Sequence, residues 1–371
     1  MGRGYWCAPW RALATLLLGT LMAGTELVAA AEAPPPQVQW TRNMGQSGLR
    51  RFYSTGADLG ELVNRQVTYQ VANRLESLRR AAGRVPEATE LASETEGYVG
   101  QYDSLLALDR GAAKPLFLRA LARSAKRLEH DRVHSTNDRF DLGVLYAPSS
   151  NSYLGVGLVR EATRATLKYV TGDTDVEAFG PRIDYGQRFS PTFAIGLRAE
   201  QLRFEGDNRV TTSQTVTRPL DYRRRYLQAE ALWRFTSQQL AVLPAGLQVG
   251  GSLGLYGLDT RYEPQTNSLG QTVREPFGNR ERLTVLRGGV FLSQTLGAGG
   301  NWNPYAELLL DREIRNNLSR PLDDRSGYIT RLGLARLLGP GKRMSVEWQH
   351  TASQNQLRER DNFLFVTVLD F

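Results

Sequence analysis

From about Asn137 to the C-terminus, apolar and polar residues alternate with a period of two. The run "RFDLGVLY" places Phe140, Leu142, Val144 and Tyr146 on one face. In "FGPRIDYGQRF", Phe179, Ile183, Tyr185 and Phe189 oppose Gly180, Arg182, Asp184, Gly186 and Arg188. Successive side chains of a strand point to opposite faces, so each run predicts a β-strand with one apolar and one polar face. The same holds for "TFAIGLRAEQ", "YLQAEALWRF" and "LQVGGSLGLYG", and for runs at 283–296, 302–313, 327–337 and 343–353. The chain closes on "FLFVTVLDF", where Phe363, Phe365, Thr367, Leu369 and Phe371 oppose Leu364, Val366, Val368 and Asp370.

Alternation alone fits a soluble sandwich or a membrane barrel. The connections separate them. Short links near 147–151, 189–192, 297–301 and 338–342 alternate with longer polar ones near 205–221, 260–281, 314–327 and 353–361. Periplasmic turns and extracellular loops alternate in that way. Aromatics at strand ends (Tyr146, Phe189, Phe193, Trp233, Phe235, Trp302, Trp348, Phe371) suit interfacial girdles. The expected fold is all-β: an antiparallel transmembrane β-barrel over 137–371, of about twelve strands or alternatively about ten, because such barrels favour even numbers. A phase slip in "SYLGVGLVREATRATLKYV" sets Leu154, Val156 and Leu158 against Ala165, Leu167 and Tyr169, and predicts a bulge or tight turn near Glu161–Thr163.

Ahead of the barrel the period is helical. Leu59, Leu62, Val63, Val67, Val71, Leu75 and Leu78 recur at three- and four-residue spacing and form one stripe. A helical region over 57–132, periplasmic and serving as plug or linker, is expected, with a second helix across 87–108. Residues 112–132 fit either a basic amphipathic helix or a first strand. Residues 32–56 form an irregular lead-in. Residues 1–31, with Arg3 and Arg11, an apolar stretch and small residues at Ala29–Ala31, have the layout of a cleaved secretory signal. Cys7, the one cysteine, would leave with it.

The formal charge of +8 arises from interspersed basic and acidic residues, without a basic block carrying aromatics, which argues against nucleic acid and for lipid as the electrostatic partner. The polar faces put Arg182, Asp184, Arg188, Arg198, Glu200, Glu230, Arg234, Glu307, Asp311, Arg331 and Glu347 inside the barrel. Such residues either select solutes at a constriction or pair across a filled interior. No catalytic, cofactor-binding or metal-binding pattern stands out. His350 is the histidine nearest a carboxylate and a serine, yet Glu347 and Ser353 lie three residues away, on the opposite face.

With its signal, its helical segment, "NPYAEL" at 303–308 and its terminal Phe371, the chain resembles bacterial outer-membrane β-barrels and, more loosely, autotransporter translocator domains. The resemblance implies that the barrel assembly machinery reads Phe363, Phe365, Leu369 and Phe371 on the last strand. It also implies an outer-membrane location, lipid contact, and an extracellular ligand or small solute as partner. The implied work is transport or surface display; the alternatives are a non-conducting structural or adhesive barrel, or a lipid-modifying enzyme. The chain departs from autotransporters in its short helical region, where a long β-helical passenger is usual. It also carries Leu369 where an aromatic is common.

Overall fold

The structure, a computed structural model, describes residues 93–370 apart from short stretches at 109–115, 130–132, 150, 168–170, 212–214, 274–277, 298–299, 319–324, 340–341 and 355–357. Ahead of these it describes Leu59, Leu62, Val63, Arg65 and Gln66. The expected signal, the lead-in and Phe371 lie outside the described residues.

The strands are β1 (Ser93–Ala107), β2 (Leu116–Glu129), β3 (Val133–Ser149), β4 (Ser152–Leu167), β5 (Thr171–Ser190), β6 (Phe193–Thr211) and β7 (Thr215–Thr236). They continue with β8 (Leu247–Tyr262), β9 (Gln265–Thr266), β10 (Thr272–Val273), β11 (Arg280–Gln294), β12 (Trp302–Asn316), β13 (Ser326–Gly339), β14 (Lys342–Ser353) and β15 (Arg358–Asp370). Thirteen of them close into a barrel, while β9 and β10 form a small hairpin in the link between β8 and β11.

Three expectations change. The barrel has thirteen strands in place of twelve, because β1 and β2 precede the expected start at residue 137. The helix expected across 87–108 is strand β1 from Ser93 onward, and the open choice at 112–132 resolves to strand β2. Tertiary pairing overrides a weak local pattern here. Finally, β4 runs without a bulge at Glu161–Thr163. The apparent slip has a different cause. Above the lipid belt the exterior turns charged, as in Arg160 beside Glu177, while apolar Val159 and Val176 join buried Glu161 inside. The outer face changes polarity, and the register does not shift.

An odd number of strands forces one parallel seam. There β1 pairs with β15 from Ser93 opposite Arg358 to Leu105 opposite Asp370, and every other barrel neighbour is antiparallel. Tyr98 and Phe363 stack across the seam with ring centroids 6.3 Å apart. The short links 150–151, 191–192, 295–301 and 340–341 fall at the end where β15 finishes, the lower end. The links 263–279, 317–325 and 354–357 fall at the upper end. The polar stretch near 205–221, expected as a loop, is the extended top of β6 and β7, joined only through 212–214. Its polarity reflects its height above the belt.

Phe140, Leu154, Val156, Phe179, Ile183, Leu227, Leu255, Leu310 and Phe365 are exposed on the outer face, and the charged residues opposite them turn inward. A closed barrel with that inverted distribution is the architecture of an outer-membrane protein. Inside it, Tyr153 lies over Gly186, and Tyr305 over Gly333, its cross-strand partner. A Cβ at either glycine would strike the ring.

Two outcomes follow. Tyr102→Cys combined with Thr367→Cys, opposite one another across the seam, should form a disulfide that keeps the barrel compact on a non-reducing gel after boiling. A closure that excluded β1 would leave this pair unlinked. Gly333→Val should displace Tyr305 and destabilise the barrel by about 1–3 kcal/mol, read from its urea unfolding midpoint.

Candidate functional site: the filled lumen

The interior is built in layers. At the lower end, inward residues from the strand ends meet in an apolar cluster: Leu105 and Ala107 of β1, Phe117 of β2, Leu145 and Ala147 of β3, Tyr153 of β4, Ala194 of β6 and Leu232 of β7. Phe291 packs against it, with the Arg234 guanidinium 5.2 Å above the Phe291 ring. The side chains these strand ends carry narrow the barrel at this level.

Above this floor lies a network of ions on seven consecutive strands, β1 to β7. Arg119, Arg139, Arg182, Arg198 and Arg224 meet Asp103, Asp141, Glu161, Asp184 and Glu200. Arg139 reaches Asp141 at 3.0 Å and Glu200 at 2.6 Å, Arg198 reaches Asp184 at 2.6 Å, and Arg224 reaches Glu161 at 2.7 Å. Arg182 bridges Asp141 and Asp184. All ten are buried. A lone charge cannot stay ionised in such a place at tolerable cost, so five cations with five anions is the composition that burial demands.

The opposite wall is unequal. Strands β11 and β12 present Glu281, Asp311 and Glu313 toward the lumen, and Arg287 binds Asp311 at 2.7 Å. Residues from ahead of the barrel offset part of that excess. Arg65 lies 2.8 Å from Asp311 and 3.3 Å from Glu313. The Gln66 amide donates to the Thr260 hydroxyl at 3.1 Å and to the Glu281 carboxylate, which also accepts from the Tyr262 hydroxyl at 2.9 Å. Leu59 and Leu62, on the same helical stripe, are buried against Tyr226, Tyr256, Leu258, Leu283 and Val285, and Val63 packs beside them. Burying two leucines contributes about 1.5–3 kcal/mol each. The five described helical residues thus dock by an apolar face and a polar one together.

The eleven charges expected inside have these positions. Arg182, Asp184, Arg198 and Glu200 belong to the network on β5 and β6, and Glu230 accepts from the Gln228 amide at 3.1 Å. Arg331 contacts Glu307 at 2.8 Å and Glu347 at 3.7 Å, and Glu347 accepts from the Tyr305 hydroxyl at 2.7 Å. Asp311 meets Arg287 and Arg65. Arg234 lies on Phe291, and Arg188 donates to the Asn151 side chain at 2.9 Å, by the short turn. Sequence reasoning passed over Arg139 and Asp141, although their parity opposite Phe140 and Leu142 marked them. It missed Asp103 and Arg119 because their strands carried a helical reading. No signal pointed to Arg65 as a luminal cation.

His350 lies on the outer face near the upper rim, 3.2 Å from Asp361, which also accepts from the Trp348 indole at 2.9 Å. Glu347 and Ser353 turn the other way. On the last strand Phe363 and Phe365 are exposed outward and Leu369 is half-buried.

No family model matches the chain, and no curated protein matches it. Among solved structures it is similar to the translocator domain of the autotransporter NalP from Neisseria meningitidis, at 11% identity and a TM-score of 0.46, over 70% of this chain and 82% of that one. It is similar to the beta domain of the Bordetella autotransporter Brka at 17% identity and a TM-score of 0.48, over 69% of this chain and 97% of that one. A Pseudomonas aeruginosa FadL homologue matches at 10% identity and a TM-score of 0.41, over 68% and 71% of the two chains. These are resemblances at low identity; assignment to a membrane rests on the apolar belt and the inverted interior.

Proposed function

We propose that this outer-membrane barrel serves surface display or conditional transport with its lumen sealed by its own N-terminal region, and is not an open diffusion pore. The observation that carries this reading is the docking of Leu59, Leu62, Arg65 and Gln66 on the acidic wall, above a neutral ion network and an apolar floor. A diffusion channel needs a continuous wet path, and the docked residues lie across this one against the acidic wall.

Display is favoured by the upper end. The link between β8 and β11 folds as the β9–β10 hairpin and lies along β7, where the Ser268 amide donates to the Thr217 carbonyl at 2.9 Å and the Thr217 amide to the Ser268 hydroxyl at 3.1 Å. A long link held against a raised strand offers a shaped outer surface. The exposed rings of Phe363 and Phe365 stand where the assembly machinery would read the final strand.

Planar-bilayer recording tests the seal. The intact protein should be silent, whereas Arg65→Ala with Gln66→Ala should give stepwise, cation-selective conductance through a path lined by Glu281, Asp311 and Glu313. Removing the partner of buried carboxylates weakens docking by about 3–5 kcal/mol. Steady conductance by the intact protein, unchanged in the variant, would establish a porin-like pore instead. Orientation is tested separately: an epitope inserted after Leu269 should be stained on intact cells, and one after Asn151 only on permeabilised cells.

A further inference from the structure

On the exterior of the upper end, four arginines stand in one rung across four adjacent strands. Arg203 of β6 is opposite Arg223 of β7, Arg223 is opposite Arg261 of β8, and Arg261 is opposite Arg280 of β11. Directly opposed residues on neighbouring strands sit about 5 Å apart, and like charges so placed repel. One rung nearer the membrane, Arg225 and Arg282 flank Asp259. The acids in reach are few. Asp259 binds Arg280 and lies 3.8 Å from Arg282 and 4.0 Å from Arg261. Arg203 is 3.0 Å from both Glu205 and Asp221. With Glu263, which also acts on Arg203, six arginines share four carboxylates.

The rest of the rim is different. On β4 and β5, Arg160 pairs with Glu177 at 3.0 Å and Arg164 with Asp175 at 3.6 Å, one acid per base. On β14 and β15, acidic Glu359 and Asp361 accompany His350. The cationic excess runs over β6, β7, β8 and β11 and continues onto β12, where exposed Arg315 lies near Arg282. It borders the apolar belt: Leu227, Leu255 and Leu286, all exposed outward, lie within four residues of Arg225, Asp259 and Arg282 along their strands.

We propose that this row binds the phosphorylated headgroup of a glycolipid in the outer leaflet, with its acyl chains on the adjoining belt. Guanidinium groups take phosphate oxygens in bidentate fashion, and a polyanion seated along the rung converts the repulsion into paired contacts. The outward aim of the side chains and the apolar surface beside them select a lipid over a soluble phosphate. The two long links 263–279 and 317–325 share its end of the barrel and put the row in the outer leaflet.

The test uses the full chain, purified in mild detergent, with diphosphoryl lipid A, its dephosphorylated form and inorganic phosphate as probes, bound complexes being counted by native mass spectrometry. The wild type should bind the diphosphoryl form at least about tenfold more tightly than the dephosphorylated one, since each cation near an anionic surface contributes several-fold. The variant Arg203→Gln/Arg223→Gln/Arg261→Gln/Arg280→Gln should lose that preference, and Arg160→Gln/Arg164→Gln should keep it. Heat-modifiable migration reports whether each variant folds. If the fourfold change prevents folding, Arg223→Gln alone, an exposed residue at the centre of the row, should lower the preference by several-fold. Equal binding of the two lipid forms by the wild type would overturn the proposal. So would an unchanged preference in the row variants, or full competition by millimolar inorganic phosphate.

Discussion

In hydrocarbon each backbone amide and carbonyl needs a partner within the protein, so a sheet that crosses a membrane must close on itself. Here closure requires β1 to meet β15 in parallel, because thirteen strands bring both in from the same end. Much else depends on that seam. A first strand descending from the upper end obliges the chain ahead of it to reach the upper end. Gln66 is found there, bonded to Thr260 near the top of β8 and Glu281 near the start of β11. A luminal N-terminal segment and an odd strand count are thus two aspects of one path.

Closure also creates a narrow interior that must be neutralised and filled. Each wall solves the problem differently. On β1 to β7 the barrel supplies both signs itself, and no outside group is needed. On β11 and β12 it presents more acid than base, and Arg65 arrives from elsewhere in the chain to offset part of that excess. Only the second wall gains from an occupant. The imbalance makes the seal dependent on docking, which a self-neutralised wall would not be, and it is the physical reason to read the lumen as closed by a separable segment.

Height along the barrel changes the meaning of each face. Within the belt, the exterior is apolar and the interior charged. Above it the exterior carries Arg160, Glu177 and the arginine row, while inside Val159, Val176, Leu202 and Phe204 pack among buried ions such as Glu161 and Arg224. One strand therefore obeys opposite rules along its length, and the row at the crossover meets both lipid and water.

That crossover also marks what could be read from the chain. Period-two alternation determined that residues beyond Asn137 form two-faced strands. The parity of Arg182, Asp184, Arg198, Glu200, Glu307, Asp311 and Arg331 determined which charges share a face, because both properties follow from local backbone geometry. Link lengths sorted the ends at 150–151, 191–192 and 340–341 against 263–279 and 317–325, but not at 212–214 or 237–246. The tertiary structure alone decided that 93–107 is a strand, since its edge bonds come from β15, more than two hundred residues away. It alone decided that β4 keeps its register, and that Arg65 answers Asp311 and Glu313. Those outcomes depend on height in the membrane and on contacts between distant segments, and neither quantity is encoded in the spacing of neighbouring residues.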